Sequence, residues 1–352
     1  MDAPMPTLRD LALLAGVSRT TVSLALRNHP SIPARTRVRI QKLATAHGYK
    51  QDPLVATLMA QLRTSRANRA VERIAYLTTW DTRDGWRQLG NERTFFMGAS
   101  ARAAKLGYEI EHIWAREPGI SAARLSTILQ TRSIRGIIIG PFINARSQIR
   151  MDWTQFSTAA ISHTLARPVV HRTSHDHYSG MFLALRNLRH HGYRRIGFVT
   201  RQEQSERVDN SWLAALFVHQ QTLPPTDCVP PLLSPVPATA DIGTAEFEAW
   251  YRAHKPDVVI SNLPAPLDKL QAMGLRVPKD VGYACLDLLD SSVPWAGVDQ
   301  QATEVAAAAV DQVVTQLQNN EFGLPKYPKT VYLDGIWREG NTLLPHRIAA
   351  AS

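Results

Sequence analysis

The sequence predicts a two-part fold: a small all-α helix-turn-helix head of about fifty residues, then a much longer α/β core of doubly wound parallel sheets. Three observations carry this. Residues 7–47 place apolar side chains at helical spacing around a glycine turn. After residue 70, short apolar strand-like runs alternate with helical runs. Positive charge is segregated: residues 1–70 hold eleven Lys/Arg and three Asp/Glu, a net +8 out of +10 for the whole chain.

Thr7-Leu8-Arg9-Asp10 has the spacing of a capping box, so the first helix is expected to begin at Leu8. Leu8, Leu11, Ala12 and Ala15 form one apolar stripe. Gly16 supplies the turn, Val17 a core plug and Ser18 the cap of a second helix. In that helix Val22, Ala25 and Leu26 face one way, and Thr20, Ser23, Leu24 and Arg27 the other. A third helix follows Pro33, runs to about His47 and ends at Gly48, with Ile40, Leu43, Ala44 and His47 in period.

Two short helices joined by a three- to four-residue turn are the layout that reads DNA, with the second helix in the major groove. Arg19 sits at the N-terminal end of that helix, where an arginine suits bidentate contact with guanine. Leu24 either touches a thymine methyl or fills a protein contact. Arg35, Arg37, Arg39 and Lys42 lie mostly off the apolar stripe. With the excess charge confined to this end of the chain, they read as phosphate-facing. Candidate DNA-binding residues in the head are therefore Thr7, Ser18, Arg19, Thr20, Ser23, Leu24, Arg27 and Arg35.

The head is assigned to residues 1–52 and a hinge helix plus linker to 53–70, with Asp52 as cap, Pro53 in the first turn, and Leu54, Leu58 and Met59 apolar. A helix this short needs a second surface to fold against, whether a twin chain, DNA or both. Leu58 and Met59 join the DNA-binding candidates.

The core is assigned to 71–345. Its first series comprises strands at 73–80, 108–114 and 136–141 with helices at 94–106 and near 121–132. A second series begins near Asp176. It has a helix to His191, a strand at 195–200, helices near 205–220 and 243–253, and strands at 257–261 and 281–286. Ligands of such sheets bind at the carboxyl ends of the strands. Two cysteines, Cys228 and Cys285, without CxxC or zinc spacing, point to a reducing compartment without structural disulfides. The N-terminus lacks a signal-peptide pattern and no stretch approaches a membrane span, so the expected location is cytoplasmic. No catalytic motif is present. His171, His175, His177, His190 and His191 have no recognised metal spacing and read as surface or core-edge residues. No cofactor and no metal are expected.

By this point the chain resembles the LacI/GalR family of bacterial repressors. The resemblance rests on Thr7-Leu8-Arg9-Asp10-Leu11-Ala12, Ala15-Gly16-Val17-Ser18, Thr21-Val22-Ser23, Pro30-Ser31-Ile32-Pro33, Thr36-Arg37 and Gly48-Tyr49, in the family's order. In the core, Arg195-Ile196-Gly197-Phe198, residues 274–281 and residues 337–342 match further signatures. The resemblance implies that Arg19 and Thr20 read bases and that Leu58 is a hinge leucine wedged into the minor groove, kinking the operator. It also implies a periplasmic-binding-protein-like core of two subdomains, about 71–171 plus 300–325 and about 172–299 plus 326–345, with a small polar effector, of sugar type, in the cleft. Effector contacts are then expected from Trp80, Phe142, Arg207, Asn262, Asp287 and Gln300. Trp80 is equally a core or dimer aromatic, and Asp287 a turn cap. The chain departs from the pattern at Leu24 and Thr57, where the family usually has Arg, near Arg27, where it has Asn, and at Leu263, where an acid is missing.

The function so implied is a non-enzymatic regulator, a repressor, acting as a homodimer on a palindromic operator. The C-terminal tail has no apolar heptads to support a tetramer. A regulator whose cleft has lost its ligand is the first alternative. A solute-binding protein would lack the basic head, and an enzyme would need a catalytic constellation.

Overall fold

The computed structural model describes residues 6–49, 72–88, 90–237, 240–288 and 293–345. The hinge, with Leu58 and Met59, lies outside the described residues.

The head is three helices: α1 (Leu8–Ala15), α2 (Arg19–Leu26) and α3 (Ala34–Ala46). The capping box forms: Thr7 Oγ1 accepts from the Asp10 amide, and the Thr7 amide donates to Asp10 Oδ2 at 2.8 Å. Gly16 closes α1 at φ +64°, a left-handed conformation that favours glycine. Ser18 accepts from the Thr21 amide at 3.0 Å and starts α2. Leu11, Ala12, Ala15, Val22, Ala25, Ile40 and Ala44 are buried together. His47 caps α3 and is exposed rather than continuing the buried stripe, because the helix ends at Ala46.

The core holds two six-stranded sheets. The first has the order β13-β7-β5-β3-β1-β2, from β1 (Glu72–Thr78), β2 (Tyr108–Trp114), β3 (Gly136–Ile139), β5 (Ser157–Ile161), β7 (His171–His175) and β13 (Thr330–Leu333), all parallel. Its strand β1 is buried on both faces by period two. Ile74 and Tyr76 pack under helices α4 (Gly90–Lys105) and α11 (Ala302–Asn319), and Ala75 and Leu77 pack with α5 (Ala122–Thr131). A separate short pair joins β4 (Ser147–Gln148) and β6 (Leu165–Arg167).

The second sheet has the order β14-β12-β11-β10-β8-β9, from β8 (Ile196–Arg201), β9 (Leu232–Ser234), β10 (Val258–Ser261), β11 (Gly282–Cys285), β12 (Ala296–Asp299) and β14 (Ile336–Arg338). Only β14 runs antiparallel to its neighbour. Helices α6 (His177–His190) and α8 (Ser211–Gln220) cover one face, while α9 (Thr244–His254) and α10 (Ala265–Ala272) lie towards the other.

Three differences from the sequence reading bear on function. Strands β7 and β13 pair in the first sheet, so the chain crosses between subdomains near residues 176, 300 and 334, not near 172, 300 and 326. The helix expected over 205–220 is two helices, α7 (Gln202–Arg207) and α8, because Asp209 and Asn210 both take left-handed φ. The long helix α11 and the strands β5, β7 and β12 are not marked by the alternation read from sequence. β5 is Ser-Thr-Ala-Ala-Ile, small residues wholly buried in mid-sheet, which carry little apolar signal. In α11 the spacing of Val305, Ala309 and Val313 did carry the helical period.

Candidate functional site

Two surfaces present chemistry. On the head, α2 buries Val22 and Ala25, leaving Arg19 and Thr20 exposed and Ser23, Leu24 and Arg27 half-buried along the opposite side. Arg27 Nε bonds back to the Ser23 carbonyl at 3.1 Å, which fixes the guanidinium along the helix. Arg35 is exposed at the start of α3. Arg37 and Arg39 have structural work: they donate to the Asn28 and His29 carbonyls and, at 2.9 Å, to the Ala15 carbonyl at the end of α1.

The second surface is a cleft between the subdomains, at the carboxyl ends of the strands of both sheets. Its cavity is about 80 Å³. Asn91 and Glu92 enter from the first turn of α4, Ser174 and His175 from β7, Arg207 from the end of α7, Trp212 from α8, and Asn262, Asp287 and Gln300 from the loops after β10, β11 and β12. The break at Asp209-Asn210 separates Arg207 from Trp212, and both line the cavity.

Polar contacts cross this cleft. Asn91 Nδ2 donates to Asp287 Oδ2 at 2.5 Å. Arg207 Nη1 donates to the Ile143 carbonyl, and its Nη2 lies 3.8 Å from Glu92 Oε1. Within the second subdomain, Asn262 Oδ1 accepts from the Thr200 hydroxyl at 2.7 Å, and Gln300 Nε2 donates to the Leu286 carbonyl at 2.7 Å. Burial pushes the Glu92 carboxyl up to about 8, with Arg207 opposing and Asp287 adding to the rise. Burial likewise pushes Asp287 up to about 6, against the Asn91 hydrogen bond and the Arg207 charge. Burial also lowers Arg207.

The histidines flank this site. His175 Nδ1 lies 3.1 Å from the Leu333 carbonyl, which only accepts, so the proton sits on Nδ1. Burial lowers His175 to about 4 and holds His177 well below its usual range. The His177 ring meets Trp212 edge-on at 5.2 Å and His175 at 5.0 Å. Both rings are therefore neutral walls of the cleft. Among the described residues no group of three or more His, Cys, Asp or Glu could hold a metal ion, and both cysteines are free thiols.

Residues 7–52 match the family model described as bacterial regulatory proteins, lacI family, and residues 185–329 match that of a periplasmic binding protein-like domain. The chain joins a head of the lacI family of bacterial regulatory proteins to a periplasmic binding protein-like core. It is a transcriptional regulator with a helix-turn-helix head and a periplasmic-binding-protein-like core. Solved structures of the same fold include a transcriptional regulator CelR–cellobiose complex, at 20% identity, covering 96% of this chain and 99% of that one, with a TM-score of 0.57. A lac repressor dimer bound to operator and the anti-inducer ONPF follows at 17%, 96%, 99% and 0.56. A LacI-family regulator from Rhizobium etli gives 15%, 78%, 99% and 0.59. No curated protein sequence matches the chain. Among the described residues no helix is long and apolar enough to cross a membrane.

In this chain, Arg207, Asn262, Asp287 and Gln300 line one cavity. Trp80 and Phe142 do not line it. Trp80 is buried beside Gly85, and its carbonyl accepts from Trp114 Nε1 at 2.7 Å. Phe142 borders a separate surface cavity of about 410 Å³ in the first subdomain, with Thr79, Arg116 and Arg150. Sequence reading missed Asn91, Glu92, His175, His177 and Trp212. The helix over 94–106 was started one turn late, and Glu92, an acid in the first turn, was the available signal. His175 and His177 were noticed, but nothing in their spacing says that β7 ends at a cleft.

Proposed function

We propose that this regulator is a repressor that binds a two-fold operator as a homodimer and responds to a small polar effector, of sugar type, in the interdomain cleft. Thr7, Ser18, Arg19, Thr20, Ser23, Leu24, Arg27, Arg35, Leu58 and Met59 contact DNA in this reading, with Arg19 and Thr20 reading bases. Arg207, Asn262, Asp287 and Gln300 hold the effector. The protein is not an enzyme, works in the cytoplasm, and needs no cofactor or membrane.

The observation that carries the reading is the set of polar contacts across the cleft. Asn91, Arg207 and Asp287 tie one subdomain to the other, so a ligand inserted among them must favour one relative placement of the subdomains over another. That shift reaches the head through the residues that join it to the core, and a few kcal/mol of differential binding changes operator occupancy greatly.

The test is selection of bound duplexes from a random library by the full-length protein. An enriched palindrome with a fixed centre is expected, and salt-sensitive binding without a motif would overturn the operator reading. Leu58→Ala should weaken binding to that palindrome far more than to random DNA, and an equal loss on both would sink the wedge. A regulator with an unresponsive cleft is the second reading. Leu263 favours it, standing where the family has an acid, and thermal-shift screening separates the two.

A further inference from the structure

Resting on the effector reading above, we propose that the cleft selects a compact polar ligand bearing a protonated amine, its ammonium seated among Asn91 Oδ1, Asp287 Oδ1 and the Glu92 carboxyl group. Several hydrogen-bonding groups of the cleft are already committed. Arg207 Nη1 is held by the Ile143 carbonyl, Asn91 Nδ2 by Asp287 Oδ2, and Gln300 Nε2 by the Leu286 carbonyl. Asn91 Oδ1 and Asp287 Oδ1 are shielded from solvent and have no partner. Both are acceptors, and they belong to the two residues that meet across the cleft. Glu92, the neighbour of Asn91 in α4, adds a buried carboxyl to the lining of the same cavity. A buried acceptor left unmatched is costly, so the missing partner is a donor.

Charge narrows the class further. Two carboxyls, Glu92 and Asp287, face one guanidinium, Arg207, which is 3.8 Å from the first of them. A phosphate or carboxylate ligand would bring a further acid into a buried site that already holds two carboxyls. A neutral polyol would supply donors but no positive charge to set against the second carboxyl. An ammonium supplies three N–H donors and a positive charge together. Burial raises both carboxyls, so Glu92 rests protonated near neutral pH and gives up its proton when an ammonium seats beside it. His175 and His177 do not supply that cation, because burial keeps them neutral. Size fits one ring: about 80 Å³ of accessible space has room for about five to eight waters at ~10–15 Å³ each. Trp212 and Phe95 give the ring an apolar wall.

The experiment is calorimetric titration of the full-length protein with matched probes. These are glucosamine against glucose, galactosamine against galactose, putrescine against butane-1,4-diol, and glucose 6-phosphate as the anion. At least one amine should bind tenfold or more tightly than its neutral partner, and glucose 6-phosphate should not bind. Glu92→Gln and Asp287→Asn should each remove that preference by weakening the amine alone, with folding checked by thermal melts. A neutral probe bound as tightly as its amine, a preference for the phosphate, or an amine preference that survives both variants overturns the proposal. If a neutral probe binds and changes operator affinity, the effector reading stands and only the ligand class falls. If no probe of any class binds or changes operator affinity, the proposal falls together with the effector reading.

Discussion

Asn91 and Asp287, 196 residues apart in sequence, are joined by a 2.5 Å hydrogen bond from the first turn of α4 to the loop after β11. The bond links the two subdomains at the point where the cleft is most polar. Its donor is an amide and its acceptor a carboxyl that burial has made reluctant to ionise. The closed geometry of the cleft therefore depends on side chains that a ligand would also engage.

Replacing Asn91 with Leu removes the donor and leaves Asp287 without a partner. The closed form should lose about 1–3 kcal/mol relative to an open one. Hydrogen exchange of the ligand-free protein should quicken at the start of α4 and around residue 287, and small-angle scattering should show a larger radius. Unchanged exchange in both segments would mean that the bond does not hold the cleft.

Glu92 makes a pH prediction with a definite sign. Its folded value, about 8, lies above the ordinary carboxylate value, so between about 4.5 and 8 the folded state binds more protons than the unfolded one. This group therefore costs stability progressively as pH rises through that window, by at most about 1.4 kcal/mol per unit. Glu92→Gln should gain stability over the natural protein from pH 5 to 8 and level off above it. The groups facing Glu92 are Arg207 and Asp287, so Asp287→Asn should reduce the effect. Denaturant melts at pH 5, 7 and 9 measure it, and a stability difference that stays flat across them refutes it.

Gly98 in α4 faces Thr303 at the start of α11 so closely that a Cβ would lie 2.6 Å from the Thr303 carbonyl oxygen. Backbone cannot yield as a flexible side-chain end can. Gly98→Ala should force the two helices apart and cost about 1–3 kcal/mol, despite the better helix propensity of alanine. Thermal unfolding reads this directly, and a stabilised variant would contradict the close packing.

Arg19→Ala tests the reading surface of α2. Arg19 is exposed and carries no structural load, so the head should fold unchanged. Binding to the selected operator should fall by about 1–3 kcal/mol, with relaxed preference at one base pair. Binding to random DNA should fall only slightly. Gel-shift titrations on both duplexes distinguish this from a phosphate contact, which would weaken both alike and lower the salt slope by about one.

The head was legible because its rules are local. Thr7 with Asp10, Gly16 at the turn and Ser18 before Thr21 act within four residues, and the structure places each cap where the spacing asks. The segregation of charge and the alternation of strands and helices after residue 70 are properties of the chain itself. Periodicity reports which side of an element is buried, and that was enough for the fold class. It does not report which strand ends face each other. Asn91 and Glu92 meet Arg207 and Asp287 only because the chain passes three times between two sheets whose carboxyl ends share one cleft. The neutral state of His175 and His177 and the raised carboxyls have the same origin: burial among groups distant in sequence. The sequence by itself determined the head, its charge and the family of the core, through short-range rules. The composition of the cleft was decided by tertiary structure, because desolvation and cross-cleft hydrogen bonding exist only once the two subdomains meet.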